Sequence, residues 1–246
     1  HFPMFFLPAE ANIAQYAMDM TSFPEYLTQC EFLRKKYQDQ IVIKIGSEVD
    51  YFPGTLTILQ EHLTPFLPRM DYLIGSIHVI HLDGCISFPV DGPDILNKFK
   101  EVGEEPIYNE YYRSTIEMVQ SGYYNIVGHC DLPKKFGTYY GNLESIRKIQ
   151  MKFLDAVKEN GMAIEINHSG LFLPVKEQYP SDSLIREIIR REIPITFGSD
   201  AHRPKNVGMA FDETFSKCLN IAQEFDVDLI LAEFSHRILI PHTFSQ

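Results

Sequence analysis

Residues 195–202 read Ile-Thr-Phe-Gly-Ser-Asp-Ala-His, a short apolar run that ends at a glycine and is followed at once by a carboxylate and an imidazole. Pro194 precedes this run, which suits the entry of a strand because proline cannot donate a hydrogen bond inside a sheet. Residues two apart in an extended chain point to the same side, so Asp200 and His202 are expected to face together. Such a pair suits a divalent metal ion. The alternative is an aspartate that caps the next helix beside an exposed histidine.

Composition limits the classes of protein to which the chain can belong. Its 246 residues, 45% apolar and 22% charged, are typical of a globular protein and suffice for one large α/β domain. The net charge of −11 argues against duplex nucleic acid as a partner. No apolar run approaches about 18 residues and nothing resembles a signal peptide, so we expect no membrane span. The four cysteines form no CxxC pair, which argues against a structural zinc knuckle and predicts free thiols in the cytoplasm.

Strand and helix patterns alternate at least five times along the chain. The predicted strands are apolar or β-branched runs at residues 40–49, 72–80, 124–130, 162–167 and 193–197. Buried runs of this kind indicate a parallel sheet, and about 250 residues is a typical length for a β/α barrel. No linker is visible, so residues 1–246 are predicted to form a single barrel domain. Residues 81–106, with three prolines and three glycines, are predicted to be an insertion near the site, and residues 229–246 resist assignment.

Each predicted strand ends in, or is followed at once by, a residue that is polar or can bind metal. These residues are Glu48, His78, His129, Asn167 with His168, and Asp200 with His202. In a parallel barrel the carboxyl ends of the strands converge on one face, so these side chains are expected to meet. A glutamate can bridge two ions while imidazoles and an aspartate complete each coordination shell. For single residues other interpretations stay open: His78 could be a satisfied core histidine, Glu48 could pair with a lysine, and Glu165 is interpreted as structural.

Four motifs follow one another along the chain: Gly-Ser-Glu-Val-Asp at 46–50, Ser-Ile-His at 76–78, Gly-His-Cys-Asp at 128–131 and Gly-Ser-Asp-Ala-His at 198–202. In this order they resemble the motifs of the PHP family, the polymerase and histidinol phosphatase domains. Residues 165–171, Glu-Ile-Asn-His-Ser-Gly-Leu, are similar to the histidinol-phosphatase branch. The resemblance implies a distorted seven-stranded β/α barrel with two or three divalent ions of zinc, manganese or iron. It also implies a phosphoric monoester hydrolase that acts on L-histidinol phosphate in histidine biosynthesis.

By this resemblance, six residues would bind metal: His1, Glu48, His78, His129, Asp200 and His202. Glu48 would bridge two ions, and His202 would hold a third together with His1. A metal-activated water would attack phosphorus, and Asp200 or His202 is the candidate to assist the leaving alkoxide. The candidates for contact with phosphate or substrate are His168, Arg113, Lys134, Lys135 and Arg203. The alternative for each basic residue is a solvated surface charge.

One departure from the family pattern keeps other functions open. The family begins with a His-x-His pair on its first strand, and this chain contains no such pair. We therefore expect one or more N-terminal strands to lie upstream of His1, within a unit of about 30 residues. The rival interpretations are another PHP-type phosphoesterase, an amidohydrolase-like metallohydrolase, and a non-catalytic PHP-like protein without these ligands. The sequence leaves the oligomeric state open.

Overall fold

The computed structural model describes residues 1–11, 16–84, 87–137 and 144–245. Within these ranges there are nine strands: β1 (Gly46–Asp50), β2 (Tyr72–Ser76), β3 (Val79–Ile80), β4 (Phe88–Pro89), β5 (Ile126–Val127), β6 (Ala163–Asn167), β7 (Ile195–Gly198), β8 (Leu229–Ser235) and β9 (Ile238–Phe244). The α-helices in the same ranges are α1 (Phe23–Lys36), α2 (Leu56–Leu63), α3 (Ile95–Val102), α4 (Glu104–Gln120), α5 (Glu144–Glu159), α6 (Asp182–Arg190) and α7 (Phe211–Phe225). None of the helices in the described ranges is long and apolar enough to cross a membrane.

Seven strands form one sheet in the order β1-β2-β5-β6-β7-β8-β9. Every neighbouring pair from β1 to β8 is parallel, and β9 returns antiparallel to β8. Helices lie between successive parallel strands, as crossover connections require. The predicted α/β fold, a distorted seven-stranded β/α barrel, is confirmed. Strands β3 and β4 form a separate antiparallel pair.

The helices pack on the sheet through apolar stripes. On α6, Leu184, Ile185, Ile188 and Ile189 are all buried, at the spacing that places residues on one side of a helix. Most of the buried apolar side chains of strands and helices belong to one continuous core. Of the cysteines, Cys30, Cys130 and Cys218 are free thiols, while Cys85 lies outside the described residues.

The β8–β9 hairpin, which the sequence left unassigned, covers the amino ends of the first strands. The backbone N–H of Arg237 donates to the carbonyl of Asp71 at 2.8 Å, and the Asn125 side chain donates to the carbonyl of Arg237 at 3.0 Å. Phe234 is 5% exposed and packs in a small cluster with residues of β5 and β6. The β8–β9 hairpin is therefore attached to the barrel beside the amino ends of β2 and β5.

The first strand is shorter than predicted. Pairing with β2 begins at Gly46 opposite Tyr72, whereas the β-branched pattern predicted a strand from residue 40. Ile41 and Val42 are 60% and 76% exposed. Strand propensity expresses how well a residue fits a pleated, half-buried surface, and residues 40–45 have no paired strand there among the described residues.

Residues 81–106 carry structure of their own, although residues 85 and 86 lie outside the described part. The segment contributes β4 and α3, with Val90 and Ile95 fully buried. The backbone N–H of Val90 donates to the carbonyl of His78 at 2.9 Å. This bond holds the segment against the carboxyl end of β2, and its role as an insertion into a single domain stays a prediction.

Candidate metal centre

Three imidazoles converge on the carboxylate of Glu48, which lies in the middle of β1. The distances to its oxygens are 2.9 Å from His129 Nε2, 3.1 Å from His1 Nε2 and 3.7 Å from His78 Nε2. The rings contact one another edge to face, with centroids 5.2 Å apart for His1 and His78 and 4.9 Å for His78 and His129. The cluster forms because β1, β2 and β5 are neighbours in the sheet and their ends lie together.

The position of His1 depends on the residue that follows it. The backbone N–H of Phe2 donates to the carbonyl of Glu48 at 2.8 Å, so the chain runs beside β1 at this point. The Phe2 ring is 1% exposed and packs edge to face on Phe23 of α1. This buried anchor holds His1 at the site.

Asp50 forms a second layer behind the imidazoles. One of its oxygens lies 2.8 Å from His78 Nδ1, and the other lies 3.7 Å from His1 Nδ1. The contact with Nδ1 turns the other ring nitrogen of His78 toward Glu48. Histidines that bind metal commonly pair their second nitrogen with a carboxylate in this way. Sequence reasoning did not assign Asp50, although its position two residues after Glu48 on one strand was a usable signal.

The donor atoms of this cluster fit a divalent metal ion. One ligand atom from each of His1, Glu48 and His78 lies within 4.8 Å of the other two. Buried polar atoms around them, His1 Nδ1, Asp50 Oδ2 and His129 Nδ1, have no hydrogen-bond partner among the described residues. A mixture of imidazole and carboxylate ligands without thiolate suits zinc, manganese or iron.

The pKa values of the cluster show how strongly its charges interact. Burial would raise the pKa of Glu48, but the hydrogen bond and charge of His129, with the charge of His78, outweigh it and lower the pKa to about 2. Burial would lower the pKa of His78, yet the adjacent carboxylates, Asp50 first, raise it to about 10. Glu48 is therefore ionised and the His78 imidazole holds its proton tightly, so a divalent cation that binds to this ring must displace that proton.

Asp200 and His202 lie on the loop after β7, at the edge of the same cavity. The Asp200 backbone has a φ of 45°, a left-handed conformation that is uncommon outside glycine. The His202 side chain is 87% exposed, and its Nδ1 lies 3.0 Å from the Asp200 carbonyl. Their roles as ligands or proton donors stay predictions.

Glu165 supports the centre from below. It is 6% exposed, and its carboxylate accepts hydrogen bonds at 3.1 Å from the His129 backbone N–H and from the Asn167 side chain. Burial raises the pKa of Glu165 to about 7. A Cβ on Gly198 would lie 1.8 Å from the Glu165 carboxylate, so a larger residue where β7 ends would require this carboxylate to move. These contacts agree with the structural interpretation of Glu165.

The centre lies in the wall of a cavity of about 890 Å³. All six predicted metal ligands line this cavity: His1, Glu48, His78, His129, Asp200 and His202. Another part of the wall is formed by the 81–106 segment and by the loop after β5, which contribute Pro89, Asp91, Gly92, Pro93, Lys135 and Phe136. The strand ends predicted that these side chains meet at one face of the barrel, and the structure shows this arrangement.

Two neighbouring lysines have different surroundings. Lys134 is 3% exposed, and its ammonium lies 3.1 Å from Asp131, 2.7 Å from Glu177 and 2.8 Å from the carbonyl of Gln178. An ammonium has three donors, so Lys134 is fully engaged inside the protein. Of the lysines and arginines in the described parts of the chain, Lys135 alone lines the cavity.

The other predicted substrate contacts also lie outside this cavity. Arg113 forms an ion pair with Glu110 at 2.6 Å and lines a separate pocket. His168 is 1% exposed, and its Nε2 lies 2.8 Å from the Thr214 hydroxyl. Arg203 precedes a short 3₁₀ turn and is exposed, so it matches the alternative of a solvated charge. As with Lys134, the sequence could not show which way these side chains turn.

Comparison with known proteins gives consistent results. The PHP domain model matches residues 9–169. A protein of Deinococcus radiodurans named "Probable histidinol-phosphatase" is 31% identical over 93% of this chain and 81% of its own length. The histidinol-phosphatase of Bacillus subtilis is 32% identical over 82% of this chain and 79% of its own. A crystal structure of histidinol phosphate phosphatase from Lactococcus lactis, in complex with zinc, L-histidinol and phosphate, shares the fold. Its TM-score is 0.66 at 24% identity, over 88% of this chain and 79% of that one.

Proposed function

The chain belongs to the PHP domain family, and from this premise we propose that it hydrolyses L-histidinol phosphate to L-histidinol and inorganic phosphate. This is the activity of a phosphoric monoester hydrolase in histidine biosynthesis. The observation that carries the proposal is the convergence of three imidazoles on Glu48 in a cavity that Lys135 also lines. Relatives that bear the name histidinol-phosphatase match most of the chain.

The proposed centre takes two or three divalent ions, zinc, manganese or iron. His1, Glu48, His78 and His129 would hold the first positions, and Asp200 with His202 would complete the set at the cavity edge. When bound, such ions polarise the phosphoryl oxygens and neutralise the charge that develops during hydrolysis. Asp50 keeps the His78 ring turned toward the centre through its 2.8 Å contact with Nδ1.

The remaining steps belong to side chains of this protein. Lys135 is proposed to donate to a phosphoryl oxygen and hold the ester against the histidine cluster. Water attacks phosphorus and gives up a proton while the ester P–O bond breaks, and the leaving alkoxide must take up a proton. Asp200 or His202 is proposed to deliver that proton, since both side chains line the cavity.

The test is the choice of substrate. Purified protein supplied with manganese, zinc or iron should release inorganic phosphate from L-histidinol phosphate and should leave a matched amide, N-acetyl-L-histidinol, intact. Phosphate release is measured colorimetrically, and amide cleavage by chromatography. Cleavage of the amide without release of phosphate would instead identify an amidohydrolase.

A further inference from the structure

Lys135 and Asp91 form an ion pair in the cavity wall, and the proposed hydrolysis uses only Lys135. Lys135 Nζ lies 2.9 Å from Asp91 Oδ2, and both side chains are partly exposed, 23% and 27%. Lys135 follows β5, and Asp91 belongs to the 81–106 segment, so the ion pair joins two separate parts of the chain at the cavity. Of the carboxylates that line the cavity, Glu48 and Asp200 belong to the proposed metal centre, which leaves Asp91 without an assigned function.

The carboxylate of Asp91 is held in place by its own segment. The preceding residue, Val90, is fully buried and donates its N–H to the carbonyl of His78 at 2.9 Å. On the other side, Ile95 is fully buried and donates its N–H to the carbonyl of Gly92 at 3.1 Å. Asp91 therefore stays at a fixed place relative to His78, at the edge of the metal centre.

The backbone of Lys135 is also held by hydrogen bonds. Lys135 lies in the 3₁₀ turn Leu132–Phe136, which ends where the Gly137 N–H donates to the carbonyl of Lys134 at 2.8 Å. The Lys135 carbonyl accepts the N–H of Val175 at 3.2 Å. Because Lys134 is buried with its own acceptors, the turn presents one lysine to the interior and the next to the cavity.

A partly exposed ion pair contributes little to stability, so a ligand with better partners for both charges can separate it. A phosphoryl group that binds the Lys135 ammonium would leave the Asp91 carboxylate without its partner and next to the negative charge of the phosphoryl group. A ligand that also carries an ammonium would satisfy Asp91 at the same time. In L-histidinol phosphate the amine and the ester oxygen are on adjacent carbons, so one small molecule offers both charges.

We propose that Asp91 is the residue that determines specificity for the substrate's ammonium group. The cavity thereby selects phosphate esters of amino alcohols over phosphate esters that lack an amine. This inference rests on the proposed function, because it concerns substrate choice in the same cavity. Asp91 acts on binding and takes no part in the transfer of protons or of the phosphoryl group.

The experiment compares two substrates that differ only in the amine, L-histidinol phosphate and 3-(imidazol-4-yl)propyl phosphate. The kcat/KM of wild-type protein should be about tenfold or more higher for L-histidinol phosphate than for the analogue, because the analogue cannot form the charged hydrogen bond to Asp91. Asp91→Asn should lower kcat/KM for L-histidinol phosphate by about 10- to 100-fold, mainly through KM. The same substitution should lower kcat/KM for the analogue much less, so the variant should hydrolyse the two esters with similar kcat/KM.

Asp94→Asn is the matched control. Asp94 lies three residues further along the same segment, is exposed, and accepts a hydrogen bond from Asn97 at 2.8 Å outside the cavity wall. Its substitution removes the same charge and should keep the wild-type preference for the amine. A second measurement covers the case in which Asp91→Asn does not fold. L-histidinol should then inhibit wild-type protein more strongly than 3-(imidazol-4-yl)propanol does.

The outcomes separate this inference from the proposed function. If wild-type protein hydrolyses both esters with equal kcat/KM, or if Asp91→Asn loses equally on both, Asp91 does not recognise the amine and the inference is overturned. The hydrolase function would survive either result. Should neither ester be hydrolysed by metal-loaded protein, the proposed function fails and the inference fails with it.

Discussion

Glu48 is the residue on which the proposed centre depends, because its two oxygens lie within 3.7 Å of three imidazoles. Glu48→Gln keeps the size of the side chain and removes the charge that binds metal and pairs with the histidines. We expect bound metal and turnover to fall together, turnover by at least about 100-fold, while the fold is retained. Elemental analysis, circular dichroism and phosphate release measure the three quantities. A variant with full metal and near-normal rate would remove Glu48 from the centre.

Substitution of Gly198 is expected to affect both stability and turnover. An alanine Cβ at this position would lie 1.8 Å from Glu165 Oε1, so the carboxylate that supports His129 must move. Gly198→Ala should destabilise the protein by about 1–3 kcal/mol, as overpacking does, and should also lower turnover. Urea unfolding and phosphate release give the two values. Unchanged stability would show that Glu165 does not occupy this space.

For individual residues, the sequence predicted which side chains converge on the site. It did not predict the orientation of several side chains. Glu48 lies on β1, while His78 and His129 follow β2 and β5, and because these strands are parallel neighbours the topology brings the three side chains together. Lys134 and Lys135 cannot be distinguished by type or position. The 3₁₀ turn buries one and exposes the other, and that depends on acceptors distant in sequence, such as Glu177.

Among the elements, the β8–β9 hairpin depends on Asp71 for its attachment to the barrel. The Asp71 carboxylate accepts the N–H of Ile45 at 2.8 Å and that of His236 at 3.3 Å, and pairs with Arg34. Burial would raise the pKa of Asp71, but these backbone donors and the charge of Arg34 outweigh it and hold the pKa below its usual value. A sequence pattern could not reveal this attachment, because its partners are up to 165 residues apart.

Asp71→Asn should therefore destabilise the protein by about 1–3 kcal/mol at pH 7. A carboxyl with a lower pKa in the folded state contributes stability above its unfolded pKa, about 3.9, and loses it as the pH falls through the folded value. The difference in unfolding free energy between wild type and variant should thus shrink from pH 7 toward pH 3. Urea unfolding at several pH values measures it. An undiminished difference at pH 3 would contradict the role of the ionised carboxylate.

For the whole molecule, the alternation of strand and helix was enough to predict a parallel β/α barrel. It could not give the exact strand ends, since β-branched residues 41–43 satisfy propensity without pairing. It also left the β8–β9 hairpin unassigned, because the attachment of the hairpin depends on Asp71 and Asn125, which are 165 and 112 residues away from their partners in sequence. The composition of the 81–106 segment predicted that it lies near the site. That Asp91 lines the cavity could not be predicted, because it depends on the hydrogen bond between Val90 and His78.

The most direct test of the central claim is the turnover of L-histidinol phosphate as a function of bound metal. The protein is stripped with a chelator, checked by elemental analysis, and then titrated separately with manganese, zinc and iron. We predict that the stripped protein releases no phosphate and that activity returns in proportion to bound metal with at least one of these ions. Full phosphate release by protein shown to be free of metal would contradict the account.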